Sequence, residues 1–340
     1  MTSNSGARGQ RTLDSWLGRR SSRHAASASQ PAPSPSPTSS SQHPYASRNR
    51  RNDPYRRGAE LAAVAKETQA ALPDILKQLP HIHAYGSERL FYSTLPPLKA
   101  FDCPKRTSSG KATIKIVNAD TFNAAIDLAT LKGPSSGRVA VLNMASHVIP
   151  GGGWLKGARA QEEALCYRSS LSLSLHRRYY PWKQRMGLYT PDVVIIRSDQ
   201  ESGHKLYVPR VPVDDLPVVS VLSIAALRNP PVSTIVENTP GGPVSRPVFT
   251  DDYDRELTKI KMRLCLRMAA RRGHGLLVLG ALGCGAFRNP PKEVALCWLE
   301  VLQEQEFQGG WWEEVWFAVY DRRNEGNLEV FEEVLGDVQV

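Results

Sequence analysis

The sequence predicts an α/β fold in which helices cover both faces of a mixed, mostly parallel β-sheet, preceded by a disordered N-terminal tail. Two observations lead to this three-layer α/β/α prediction. Short apolar runs alternate with helical patterns from residue 113 onward, and strands separated by helices are typical of parallel sheets. Glycine-rich turns follow two of the apolar runs, and ligands bind at the carboxyl ends of the strands in such sheets.

Length and charge separate a folded part from a basic tail. The chain has 340 residues, of which 41% are hydrophobic, enough for one large domain or two ordinary ones. The formal net charge is +10, and residues 1–58 contain ten Arg, no Lys and two Asp, a local net of +8. A domain that held nucleic acid over its whole surface would be expected to carry more than the remaining charge of +2.

Cysteine usage predicts an intracellular protein without a metal or a cofactor. Five Cys are scattered without a CxxC pair, which argues against a disulfide framework or a zinc site. The His pair His81 and His83 has no neighbouring acid or Cys. We expect neither a membrane span nor a secretory signal. The expected location is the nucleus and/or the cytoplasm; a mitochondrial transit peptide is the less favoured alternative for the Arg-rich, Ser-rich N-terminus.

Residues 1–57 form the predicted tail. Its Ser, Pro, Ala and His content from residue 21 to 47 is typical of a disordered tether. Before it, the stretch Gln10–Leu17 places Leu13, Trp16 and Leu17 on one face of a helical turn. This stretch resembles the motif by which proteins bind the replication sliding clamp, with Leu17 in place of the second aromatic residue. An amphipathic turn without a partner remains the alternative, and the Arg cluster at 48–51 predicts a nuclear address, a phosphate contact or a solvated charge run.

The folded part, 58–340, is predicted to consist of a helical N-terminal extension over 58–110 and a core over 111–340. Helical spacing from Leu61 to Leu72 predicts a first helix that Pro73 interrupts. Strands are predicted over 113–117, 138–144, 193–196, 218–224, 275–282 and 315–320, and helices over 121–131, 160–175, 251–270, 292–305 and 328–335. A Pro-rich loop follows the strand at 218–224.

The first glycine-rich turn is Gly151-Gly152-Gly153, which follows a predicted strand and precedes Gln161, Glu162 and Glu163. Three glycines in a row lose more backbone entropy than other residues would, so the position requires bare backbone. Positive φ or the close approach of a ligand is the usual requirement. Since the acids follow within about three helical turns, we expect the glycines and the acids to share one cleft.

The second glycine-rich turn comprises Gly283, Cys284, Gly285, Ala286 and Phe287 after the predicted strand 275–282. Asn289 as N-cap and Pro290 as first helical residue are predicted to begin the next helix. Free N–H groups of such a loop, next to a helix N-terminus, suit a diphosphate. The turn lacks the Lys and Ser/Thr of a P-loop and the third glycine of a dinucleotide-binding motif.

Together, the motif Gly-Gly-Gly-x₇-Gln-Glu-Glu and the turn Gly283–Asn289 resemble the signatures of microbial-type poly(ADP-ribose) glycohydrolases (PARG), which have a macrodomain fold. The resemblance extends from about Arg57 to the last helix and would make 58–340 a PARG catalytic domain. It implies that ADP-ribose binds in the cleft, with its diphosphate on the turn 283–287 and the scissile ribose beside Gly151, Gly152 and Gly153.

The same resemblance implies residue roles. Glu163 would be catalytic, Glu162 and Gln161 would position the ribose and support the site, and Phe287 would pack on the ribose. Asp120 would match the acid with which macrodomains bind the adenine amino group. Poly(ADP-ribose) or ADP-ribosylated protein would be the macromolecular partner, and we expect a monomer.

The residues themselves favour a single-carboxylate mechanism. Glycoside hydrolysis needs an acid for the leaving oxygen and a base for water, usually two carboxyls about 5 to 9.5 Å apart. Glu162 and Glu163 are adjacent, and helix neighbours point about 100° apart, so Glu163 is predicted to serve as both acid and base. Two alternatives stay open: a reader that binds ADP-ribose without cleavage, and a hydrolase of another ADP-ribosyl linkage on protein or nucleic acid.

Overall fold

The computed structural model describes residues 54–322 and 324–340, in which nine strands and seven α-helices form. The strands are β1 (Glu88–Phe91), β2 (Ile114–Val117), β3 (Ala140–Met144), β4 (Met186–Val194), β5 (Val218–Ile224), β6 (Val232–Thr239), β7 (Gly242–Phe249), β8 (Leu276–Leu279) and β9 (Glu314–Ala318). The helices are α1 (Pro54–Lys77), α2 (Thr121–Lys132), α3 (Gln161–Arg168), α4 (Leu171–Ser174), α5 (Asp252–Arg271), α6 (Pro291–Leu302) and α7 (Asn327–Leu335). The clamp-like stretch and the rest of the tail up to residue 53 lie outside the described residues.

Seven of the strands make one sheet in the order β1-β4-β5-β3-β8-β9-β2. The strands from β5 to β2 run parallel, whereas β4 is antiparallel to both of its neighbours. The prediction of a mixed, mostly parallel sheet is therefore confirmed. Crossover connections let consecutive strands run parallel, so that their carboxyl ends lie at the same edge of the sheet. Polar residues that follow these strands can therefore collect in one cleft.

Helices cover both faces of the sheet, because side chains along each buried strand alternate between two apolar layers. Leu142 of β3 and Leu277 of β8 belong to a core that also contains α5, α6 and α7. Phe122 of α2 is fully buried and lies outside that core, and α2 contacts β3, β8 and β9. No described helix is long and apolar enough to cross a membrane.

Three predicted element boundaries are wrong. The helix α1 does not stop at Pro73 but continues to Lys77. Leu72 and Ile75 in its last turns are buried, and this packing outweighs the loss of the backbone hydrogen bond that a proline removes.

The helix predicted over 160–175 is broken into α3 and α4 at Ser169 and Ser170. The Ser170 N–H donates to Val194 O (3.0 Å) and its hydroxyl accepts from the Val194 N–H (3.0 Å). Serine groups that bond to a neighbouring strand compete with the helical pattern. The strand predicted over 193–196 is also misplaced, since β4 ends at Val194 and begins at Met186, with an irregular register around Pro191.

The sequence prediction missed β1 and the ribbon formed by β6 and β7. The ribbon occupies the Pro-rich loop and pairs only with itself in the described residues, from Val232↔Phe249 to Thr239↔Gly242. Pro243 and Pro247 argue against a strand, but a two-stranded ribbon consists of edges, where proline is accepted.

Candidate active site

The carboxyl ends of β2, β3, β5, β8 and β9 meet at one edge of the sheet, where a cavity of about 350 Å³ opens. This volume is within the range of small-molecule sites. The sequence-predicted site residues among those that line the cavity are Asp120, Gln161, Gly283, Cys284, Gly285, Ala286 and Phe287. Parts of the chain more than 160 residues apart are therefore brought together, as expected for a sheet of this type.

The turn Gly283–Phe287 offers unpaired donors to the cavity. Within the described residues, the backbone N–H groups of Gly283, Gly285, Ala286 and Phe287 donate no hydrogen bond. Gly285 and Ala286 are exposed, and Phe287 is half-buried. A set of free N–H groups at the end of a buried strand is a binding site for an anion such as a diphosphate.

Asn289 holds this turn in place and does not cap α6. Pro290 is the N-cap and α6 begins at Pro291, so the predicted cap is one residue too early. The buried Asn289 amide instead donates to Leu227 O (2.7 Å) and Gly283 O (3.2 Å), because these inward-facing carbonyls need a donor. Gly283 has φ +79°, and a Cβ atom there would lie 2.5 Å from the Asn289 amide nitrogen.

The three glycines make room for the carboxyl groups of the chain itself. Gly151 and Gly152 have φ of +68° and +59°, the left-handed region that favours glycine. A Cβ atom on Gly152 would lie 2.3 Å from Glu163 Oε1 and 3.3 Å from Glu162 Oε2. Both carboxyls therefore approach the same glycine.

Glu163 is held by backbone donors on both of its oxygens. The Gly153 N–H donates to Oε1 (2.8 Å) and the Ala160 N–H to Oε2 (3.2 Å). The second contact closes the first turn of α3, where an acid is also favoured by the helix dipole. The residue is 8% exposed, so the carboxyl is almost enclosed and its orientation is fixed.

Glu162 is buried more deeply, at 2% exposure. Its Oε2 accepts from the Ser146 N–H (2.7 Å), and its Oε1 accepts weakly from Asn143 Nδ2 (3.5 Å). Burial raises the pKa of Glu162 to about 8; the Ser146 hydrogen bond opposes this rise and the charge of Glu163 adds to it. At neutral pH the carboxyl is therefore largely protonated, because removing a charge from water is costly.

Neither glutamate nor any of the three glycines lines the 350 Å³ cavity. Gln161 does line it, and so connects the cavity to the segment that carries the glutamates. Its Oε1 accepts from the Met144 N–H (2.9 Å), and its Nε2 donates to Leu142 O (2.7 Å) and Thr121 Oγ1 (3.1 Å). The Gln161 amide thus ties the start of α3 to the end of β3 and to α2. The amide of Gln161 therefore supports the site by bonding within the protein, and it does not present free polar groups to a ligand.

Asp120 also lines the cavity and has a structural role as well. Its Oδ1 caps α2 by accepting from the Phe122 N–H (2.8 Å) and also binds the guanidinium of Arg168. Arg168 is fully buried and donates to Asn123 Oδ1 as well (2.8 Å). Asp120 Oδ2 makes no hydrogen bond within the described residues, so this oxygen remains for a ligand donor.

Sequence reasoning missed three residues that shape the site. Asn143 supports Glu162, Arg168 orients Asp120, and Tyr320, half-exposed, lines the cavity after β9. A polar residue inside the apolar run 139–144 was the available signal for Asn143. Across residues 54–322 and 324–340, no three His, Cys, Asp or Glu side chains are placed to hold a metal ion.

Comparison with known proteins identifies similar domains. Residues 59–213 match the family model of the microbial-type PARG catalytic domain. The fold is similar to that of poly(ADP-ribose) glycohydrolase from Thermomonospora curvata bound to the inhibitor ADP-HPD, at 25% identity and a TM-score of 0.60, covering 81% of this chain and 99% of that chain. The enzyme from Deinococcus radiodurans in complex with ADP-ribose is 29% identical with a TM-score of 0.56, covering 74% and 94%. Curated proteins gave no match.

The glycine–carboxyl contact predicts a large effect for Gly152→Ala. The new Cβ atom would displace the Glu163 carboxyl, and a misplacement of about 1 Å at a reacting group costs on the order of 100-fold in rate. We expect ADP-ribose release to fall by about that factor, measured as kcat in steady-state assays. Gly273→Ala is the matched control, because Gly273 has φ +75° but no atom within 4 Å of its Cβ position; unimpaired kcat in Gly152→Ala would contradict the proposed geometry.

Burial of Glu162 predicts a pH dependence of stability. Its folded pKa of about 8 exceeds the usual 4.5, so the stability that it contributes below pH 4.5 is lost as the pH rises to about 8. Replacement by Gln removes this titration. We expect the free energy of unfolding of the parent to decrease relative to that of Glu162→Gln by up to about 1.4 kcal/mol per pH unit in this window. Urea titrations at pH 5 and pH 8 test this, and an unchanged difference between the proteins would refute a neutral Glu162.

Proposed function

We propose that this chain, which carries a microbial-type PARG catalytic domain, hydrolyses the ribose–ribose O-glycosidic bonds of poly(ADP-ribose) and releases ADP-ribose, with Glu163 as general acid and base. The observation that carries the proposal is the arrangement around α3. The fixed carboxyl of Glu163 follows Gln161 by two residues on α3, and Gln161 lines the same cavity as the turn of unpaired N–H groups. The T. curvata and D. radiodurans structures with ADP-HPD and ADP-ribose support the ligand class.

The diphosphate, the adenine and the ribose of ADP-ribose each have a matching group at the cavity. The diphosphate would accept from the free N–H groups of the turn Gly283–Phe287, and Asp120 Oδ2 would accept from the adenine amino group. Phe287 would pack on the ribose, where an aromatic ring adds apolar contact. The terminal ribose would then extend past Gln161 toward the three glycines and Glu163.

The reaction needs one proton donated and one proton accepted. Protonated Glu163 would give its proton to the leaving ribose oxygen as the glycosidic C–O bond breaks and positive charge develops on the terminal ribose. The resulting carboxylate would take a proton from the water that attacks this carbon, which regenerates the acid. The diphosphate charge would stabilise the developing cation.

Glu162 would assist the reaction in its neutral form, without adding a second negative charge to the site. Its protonated carboxyl at neutral pH would donate a hydrogen bond to a ribose hydroxyl and would add no negative charge beside the reacting carbon. The deep burial of Glu162, at 2% exposure, is what favours its neutral form.

Three finer assignments belong to the same proposal. The helix–sheet–helix layers with a cleft at the carboxyl ends of the strands support a place in the macrodomain superfamily. The basic tail over 1–57 supports action in the nucleus and/or the cytoplasm, with reversal of ADP-ribosylation after DNA damage as the setting. The catalytic domain would act as a monomer.

Glu163→Gln should abolish ADP-ribose release and keep ADP-ribose affinity within about tenfold, because the amide keeps the shape and loses only the proton transfer. Glu162→Gln should lower kcat less. Labelled poly(ADP-ribose) and a mono-ADP-ribosylated protein, incubated side by side with parent and variants, provide the measurement. Calorimetry with ADP-ribose provides the affinity.

The outcomes separate the competing functions. Release from the mono-modified protein alone would replace polymer by another ADP-ribosyl linkage as the substrate. Binding of ADP-ribose without release from either substrate would make the chain a reader. Activity of Glu163→Gln within about tenfold of the parent would remove Glu163 from the mechanism.

For the tail, we propose that Gln10–Leu17 binds the replication sliding clamp through Leu13, Trp16 and Leu17. A peptide over residues 6–22 should bind the clamp in calorimetry, and Leu13→Ala with Trp16→Ala should weaken it at least about tenfold, because apolar anchors supply most of the energy of such contacts. Hydrolysis by the full chain with the same two changes should be unaltered. Absence of saturable binding by the unmodified peptide would refute the clamp assignment.

A further inference from the structure

A basic and aromatic segment lies outside the roles described above. Residues 176–187 contain four cations and three large aromatic side chains but no acid: Arg177, Arg178, Lys183, Arg185, Tyr179, Tyr180 and Trp182. None of the four cations forms an ion pair with a described carboxylate. By contrast, Arg263 and Arg267 of α5 are paired with Glu304 and Glu306. The segment therefore presents positive charge that no carboxylate among residues 54–322 and 324–340 neutralises by an ion pair.

Strand β1 interleaves with this segment at the edge of the sheet. The Arg89 guanidinium lies over the rings of Phe91 (5.3 Å) and Tyr179 (5.7 Å), and Lys183 Nζ lies 5.8 Å from the centre of the Phe91 ring. Arg178 lies over Tyr179 (5.0 Å). Cations alternating with aromatic rings are typical of surfaces that bind stacked bases joined by phosphates.

A groove runs along this edge. It has a volume of about 450 Å³ and is lined by Phe91, Ser93, Lys183, Gln184, Arg185 and Tyr253, here called the basic groove. Tyr253 is 50% exposed, and its hydroxyl donates to Gln184 Oε1 (3.2 Å). Phe91 and Tyr253 thus offer rings, and Lys183 and Arg185 offer charge, around one open space.

The chain segment that supplies Lys183 and Arg185 to the basic groove is hydrogen-bonded to the loop that positions the glutamates. The Trp182 N–H, next to Lys183, donates to His147 O (2.8 Å). His147 follows Ser146, whose N–H binds Glu162. Burial and then the nearby charges of Arg228 and Lys261 lower the pKa of His147, so positive charge also surrounds this junction.

We propose that the basic groove binds the units of poly(ADP-ribose) on the leaving side of the scissile bond, an inference that rests on the proposed function. Each such unit carries two phosphates and one adenine. Lys183 and Arg185 match the phosphates, and Phe91 and Tyr253 match the adenine ring. Nucleic acid has similar chemistry, but the connection to the catalytic loop favours the substrate itself.

The decisive variant is Lys183→Ser with Arg185→Ser, since both side chains are exposed and neither belongs to the catalytic machinery. We expect KM for long poly(ADP-ribose) to rise at least about tenfold with kcat unchanged, and the salt dependence of binding to become shallower, because each lost phosphate contact reduces the slope by about 0.7. ADP-ribose affinity should stay within about twofold of the parent, because the free product cannot reach both sites.

Lys66→Ser with Lys77→Ser removes the same charge from exposed positions on α1 and should leave KM unchanged. Polymer binding is measured in parallel in the Glu163→Gln background, so that it does not depend on turnover. If the parent releases no ADP-ribose from polymer, the proposed function fails, whereas unchanged polymer binding by Lys183→Ser with Arg185→Ser overturns the groove assignment alone.

Two further results would also overturn the assignment. An equal loss of affinity for ADP-ribose and for polymer would place the effect in the catalytic cavity. Tighter binding of single-stranded RNA or DNA than of polymer by the parent, lost in the double variant, would make the groove a nucleic-acid site. Circular dichroism spectra identical to that of the parent show that the variants are folded.

Discussion

The close approach of Gly152 to the Glu163 carboxyl is the contact on which the catalytic end of the site depends. Bare backbone is required because the space that a side chain would take is occupied by the carboxyl oxygens. The same loop supplies the Gly153 N–H that orients Glu163 and, through Ser146, the N–H that orients Glu162. One segment of main chain therefore positions both acids, and neither carboxyl forms an ion pair with a described side chain.

The sheet and its cleft could be predicted from the sequence because their signals are local. Apolar runs followed by glycine-rich turns identify β3 and β8, and the parallel topology then brings Asp120 and the turn Gly283–Phe287 to one edge. The glycines and the acids do lie against each other, the glycines in the loop before α3 and the acids on α3 itself. The 350 Å³ cavity, however, is lined by Gln161 and not by either glutamate or the three glycines.

The remaining features depend on tertiary contacts that no local pattern reports. Ser170 breaks a helix because a strand edge lies beside it, and Asn289 leaves its predicted cap position because two buried carbonyls require its amide. The raised pKa of Glu162 results from burial. The sequence shows two adjacent glutamates and does not tell which of them is buried more deeply. The prolines of the β6–β7 ribbon argue against strands in the sequence, but a two-stranded ribbon consists of edges, where proline is accepted.

The ribbon also shows how this domain could change in size during evolution. Its base is closed by the hydrogen bond from the Thr250 N–H to Pro231 O (3.1 Å), and Asn229 beside it is tied to Phe287 O (2.9 Å). The ribbon therefore leaves the main sheet at a fixed root, and Arg246 of β7 also binds Glu293 of α6 (2.6 Å). Residues beyond the root, around Gly241 and Gly242, have open space at their Cβ positions or a single distant neighbour. Insertions and deletions at this tip would change the length of the ribbon while the turn Gly283–Phe287 keeps its shape.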